Sequence, residues 1–150
     1  MYYLRKLSTP SNLIRLRNEQ DYTQLPADIL GQEFRTSSNT LSFWKFEHLD
    51  DMTDALKALI LSSNGIKTTQ TIIVGEHILK SYGFEMKDTC GITGYLGRCS
   101  LHSDMVDLTY EKIGVVMQML HNDIVNNDIL TPRFDKKKYG NSLGMLLTIN

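Results

Sequence analysis

Between Thr89 and His102 the chain places both of its cysteines, Cys90 and Cys99, three glycines at Gly91, Gly94 and Gly97, Arg98 and His102. These residue types can do chemistry. Cys99 and His102 have two residues between them, a spacing used by zinc ligands, and Cys90 is the third donor of the set Cys90, Cys99, His102. A strong zinc signature repeats such a pair, and only one pair is present, so zinc is the alternative and no cofactor is the expectation. The glycines and Arg98 could face an anion at a helix start, but no Gly-Lys-Ser/Thr follows. Asp88, Cys90, His77 and His102 supply the types needed for thiol catalysis, though nothing in their spacing makes them meet. The plainer expectation is two free thiols, a solvent-facing His102 and a loop that uses glycine for its turns.

Two further groups could bind. Arg35, Ser37, Ser38 and Asn39 form a polar turn ahead of an aromatic strand, where loop groups held by a rigid element often meet ligands; ordinary turn chemistry explains them equally. Arg133, Lys136, Lys137 and Lys138 form a basic patch flanked by Phe134 and Tyr139. It could touch phosphates, or simply discourage strand pairing at a sheet edge.

These residues must be positioned by a fold, and the pattern of apolar positions implies one. Tyr2 to Leu7 reads as a strand, Thr9 to Asn12 as a break, and Leu13 to Gln24 as largely irregular. A short helix is expected from Pro26 to about Phe34. Thr40 to Glu47 reads as a strand with both faces covered, Leu41 and Phe43 on one and Trp44 and Phe46 on the other. Leu49, Met52, Leu56, Leu59 and Ile60 follow helical spacing, with Asp50, Asp51 and Asp54 in the first turns where they meet the helix dipole. Asn64-Gly65 is a stop signal, and Gln70 to Val74 reads as a buried strand. Strand, helix and strand in that order predict a right-handed βαβ unit over Thr40 to Val74. Glu76 to Tyr82 is a short helix ended by Gly83. Ser103 to Asn126 reads as one long helix capped by Ser103 or Asp104, with Met105 and Met119 on its apolar stripe and Met117 off it. After Pro132, a hairpin with Gly140-Asn141 at its turn leads to a final strand over Ser142 to Ile149.

The whole reads as a single α/β domain over residues 1–150, with α+β as the variant. It has a mixed sheet of about four to five strands, and the long helix packs on one face. Apolar residues make up 41% of the 150 and charged residues 22%. That is ordinary for a chain able to bury roughly 70% of its surface. A net charge of −1 removes the global field that would draw in nucleic acid. No stretch has the length of a signal peptide core or a membrane span, so the expected location is the cytoplasm, with no membrane partner. No catalytic set stands out. The expected function is therefore a small protein-binding module, an adaptor, immunity-type or accessory component without catalysis, with homo-oligomerisation compatible. The alternatives are an enzyme or a metal- or anion-binding protein using the Cys90–His102 loop, and a nucleic-acid accessory factor using the basic C-terminal segment.

Overall fold

The computed structural model describes residues 1–8, 10–62, 68–90, 100–126 and 128–135. Six strands form one sheet in the order β4-β5-β2-β1-β3-β6. They are β1 (Tyr2–Leu7), β2 (Leu41–Phe46), β3 (Thr68–Gly75), β4 (Met86–Asp88), β5 (His102–Met105) and β6 (Arg133–Asp135). Among the described residues five α-helices accompany them: α1 (Pro10–Asn18), α2 (Ala27–Glu33), α3 (Met52–Ser62), α4 (Glu76–Ser81) and α5 (Tyr110–Val125). The fold is α/β in content, but every neighbouring strand pair is antiparallel, so the expectation of a mixed sheet is corrected.

The βαβ expectation is corrected at the same point. β2 and β3 run parallel to one another, yet β1 lies between them and pairs antiparallel with both. The crossover through α3 is therefore split by an inserted strand. Alternation along the central strands builds two cores. Tyr3, Leu7, Leu41, Phe43, Ile72, Val74 and Met105 face one side, where α1, α2, α4 and α5 add Leu16, Ile29, Leu79 and Leu120. Leu4, Trp44, Phe46 and Ile73 face the other, where α3 adds Met52, Ala55, Leu56 and Leu59. β2 is thus covered on both faces, as its aromatic run implies.

Three helical expectations change. Residues expected to be irregular contain α1, with Pro10 at the first helical position, where its missing N–H costs nothing. Leu13 and Leu16 are buried, and His121 of α5 donates from Nε2 to the Glu19 carbonyl at 2.8 Å, tying the end of this segment to α5. The helix expected from Ser103 starts only at Tyr110, because His102 to Met105 pair with β2 as a strand. Asp107 then turns the chain in the left-handed region (φ 56°), and Thr109 caps α5 by accepting the Lys112 N–H. Met117, expected to lie off the stripe, is 4% exposed and belongs to the larger core. Gly83 does end α4, at φ 75°, a conformation natural to glycine. The Asn64-Gly65 stop, the C-terminal hairpin and its final strand lie outside the described residues.

Next to α4, the Asp123 carboxyl of α5 accepts from Tyr82 and is raised above the ordinary carboxylate value, chiefly by burial, with Asp128 adding to it. Its Oδ2 is buried without a partner among the described residues. A carboxyl whose folded value is raised holds its proton more tightly in the native state. The fold therefore loses stability as pH climbs through the window above the unfolded value of 3.8. Asp123→Asn keeps an acceptor for Tyr82 and removes the charge. Urea unfolding should show the variant more stable than the parent at neutral pH, with the gain vanishing in acid; an equal gain at both would break the argument.

Candidate functional site

Thr89 follows β4 and faces His102 of β5, its N–H donating to the His102 carbonyl at 3.2 Å. The Thr89 hydroxyl donates to Asp104 Oδ2 at 2.7 Å. Its oxygen in turn stands 2.8 Å from His102 Nδ1. Nδ1 is also 3.2 Å from the Thr89 carbonyl, which can only accept. Nδ1 therefore carries a hydrogen. Ser42 donates to the other oxygen of Asp104 at 2.9 Å, and the edge of Trp44 meets the His102 ring at 5.2 Å between centroids. His102 is 4% exposed. The expectation of a solvent-facing histidine is corrected, because the strand assignment turns it inward under Trp44. Its imidazole cross-ties β4, β5 and β2.

Cys90 is exposed and disulfide-bonded, which corrects the free-thiol expectation at that residue. A disulfide sulfur has no thiolate to offer a metal or a substrate. Cys99 lies outside the described residues, as do the three glycines and Arg98. Among the described residues no three histidine, cysteine, aspartate or glutamate side chains are grouped to hold a metal ion.

The turn residues Arg35, Ser37, Ser38 and Asn39 are all exposed, at the start of β2. Ser37 bridges to Thr40, and Ser38 and Asn39 both take positive φ (53° and 59°), the geometry of a tight hairpin turn usually given to Asn-Gly. The Asn39 carbonyl accepts the Leu108 N–H at 3.0 Å, so this turn rests on the Asp107–Leu108 step. Arg133 is exposed on the edge strand β6, while Phe134 is buried against α3's side of the sheet. Lys136, Lys137 and Lys138 lie outside the described residues. Among the described residues, Arg35–Asn39, His102 and Arg133 stand on different parts of the sheet. Arg35–Asn39 precedes the start of β2, while His102 pairs with Trp44 in its second half.

A different site emerges at the far end of β2. A cleft of about 560 Å³ opens between the end of β2, the beginning of β1 and the first turns of α3. Phe46 and Ala55, both buried, lie at its base with Leu101 beside them. Tyr2 stacks on Phe46 at 5.6 Å and holds that ring in place. Glu47, Asp50, Asp51 and Asp54, all exposed, form the rim. Two lysines also border it: Lys57, 3.7 Å from Asp54, and Lys45, ion-paired with Asp88 of β4. Asp51 also caps the short turn before α3 by accepting the His48 N–H. Asp50, Asp51 and Asp54 are visible in the sequence as partners of the helix dipole. Their meeting with Phe46 and Leu101 over an apolar base is set by strand pairing, which no local pattern reports.

The fold and this cleft define an α/β protein with an all-antiparallel six-stranded sheet and an acid-rimmed groove at one end. No family model, no curated protein and no solved structure matches the chain. Among the described residues no helix is long and apolar enough to cross a membrane.

Proposed function

We propose that this chain is a protein-binding module without catalytic activity, and that the cleft at the start of α3 is its docking surface. The observation that carries this reading is the composition of that cleft. Its base of Phe46, Ala55 and Leu101 is apolar and its rim is polar, the arrangement of a protein interface core. Benzoylphenylalanine placed at Thr53, which lines the cleft, should photo-crosslink a discrete partner in the native cells, whereas the same group at the exposed Glu111 of α5 should not. Equal labelling at both positions, or none at Thr53, removes the proposal. A second copy of the chain recovered at Thr53 would make the module a homo-oligomer.

Cytoplasmic residence is part of the same reading, and the disulfide at Cys90 bears against it, since reducing compartments keep thiols free. Acid-quenched alkylation of the protein in its native cells decides the matter. A cytoplasmic protein should be labelled at Cys90 almost completely before any reductant is added. A protein labelled only after reduction resides where disulfides persist.

A further inference from the structure

The docking reading leaves open what the cleft takes. We infer that it receives an extended basic segment of a partner protein, with a lysine or arginine head among the rim carboxylates and its alkyl stem over Phe46. This inference rests on the cleft being a docking surface. Its own support is charge complementarity. Glu47, Asp50, Asp51 and Asp54 stand around one opening. Of the two lysines there, Lys45 is already matched by Asp88, so that among the described residues Lys57 and the Met1 amino group are the cations set against four carboxylates. The helix dipole accounts for Asp50, Asp51 and Asp54, but Glu47 precedes the helix and gains nothing from it.

The apolar base narrows the occupant further. A free cation would need only the rim. A cleft of about 560 Å³ floored by an aromatic ring also has room for the stem of a long side chain and for an apolar neighbour against Leu101. Lysine and arginine stems bury along such surfaces while their heads stay in a polar rim. A phosphate or an acidic peptide would meet four like charges.

Fluorescence anisotropy with three labelled peptides tests this: one alternating lysine with leucine, one alternating glutamate with leucine, and one alternating lysine with serine. The lysine–leucine peptide should bind, weaken as salt is added, and outcompete the other two by at least about tenfold. Asp50→Asn with Asp54→Asn should weaken it about five- to tenfold, in line with ordinary exposed ion pairs. Lys57→Gln, which removes one opposing cation, should tighten it about twofold, and this variant keeps the test alive if the double aspartate change disturbs folding. Equal binding of the glutamate peptide overturns the inference, as does equal binding of the lysine–serine peptide or indifference to all three substitutions. If Thr53 crosslinks a partner while the basic peptides ignore the cleft, the docking reading stands and the assigned occupant is wrong. If neither result appears, both fall.

Discussion

Replacing Phe43 by alanine should destabilise the protein by about 4 kcal/mol, the usual range for deleting a buried aromatic ring. Phe43 is 2% exposed on a central strand, in the larger of the two cores. Its ring meets the Tyr3 ring edge-on at 6.4 Å, and the Arg5 guanidinium lies 5.6 Å from its centroid. Truncation thus removes packing, an aromatic pair and the surface on which a half-buried cation rests. Native domains hold only about 5–15 kcal/mol in reserve, so this single change consumes much of it. Phe43→Leu refills most of the volume and should cost about 1.5 kcal/mol. Urea midpoints at constant slope measure both. A loss below about 1.5 kcal/mol for the alanine variant would mean that the site collapses around the gap, and the described core would be wrong there.

Phe43 also shows what could be read without coordinates. Its strand announces itself, because four large apolar residues alternate over Leu41 to Phe46 and both faces must be covered; Leu41 and Phe43 do enter one core, and Trp44 and Phe46 the other. α3 announces itself equally, through Met52, Leu56 and Leu59 on one stripe. What was illegible is non-local. Nothing in Thr40 to Val74 reports that β1 slips between β2 and β3. Met105 and Leu108 fit a helical stripe as well as a strand and its turn. Only the left-handed Asp107 and the Thr109 cap decide between them, and an aspartate in that conformation is not visible as such in a sequence.

The candidate site divides the same way. The Thr89–His102 segment was legible as a concentration of reactive types, and of these Thr89 faces His102 beside β4 and β5. Their roles were not legible. His102 is committed to Thr89 beside Trp44, and among the described residues of the segment Leu101 lines the cleft. Arg35–Asn39 sits at the other end of β2 because a six-residue strand separates the two ends by roughly 20 Å. α1 was missed because Arg15 and Arg17 interrupt its apolar spacing and Ile14 is 60% exposed. Its stability comes from tertiary partners rather than from propensity.

Glu33 is the clearest of those partners, and Glu33→Ala should destabilise the protein by about 3 kcal/mol, the scale for breaking a buried charged network by removing one member. Glu33 is 1% exposed at the end of α2. Its Oε2 accepts the Ser8 N–H at 2.6 Å, and its Oε1 accepts from Asn12 Nδ2 at 2.6 Å, so one carboxylate ties the end of β1 and the first turn of α1 to α2. Asn12 is itself 2% exposed and would lose its closest acceptor. Arg5 would suffer as well. Its guanidinium donates to the Ser42 and Glu33 carbonyls at 2.8 and 2.7 Å, while Nε is buried without a partner among the described residues. Burial pulls Arg5 down to about 10, and the field of Glu33 is the larger of the two attractions that oppose this. Glu33→Gln keeps one good acceptor and should cost about half as much. Arg5→Met should soften the loss from Glu33→Gln, because the cation that needs the carboxylate is then gone; a double-mutant cycle should return a coupling of about 1 kcal/mol or more. Strict additivity would show that Glu33 serves only as a hydrogen-bond acceptor for Ser8 and Asn12. A Glu33→Ala cost below about 1 kcal/mol would show that α1 is held without the Glu33 carboxylate, by Leu13, Leu16 and its bonds to Thr131 and Gln32.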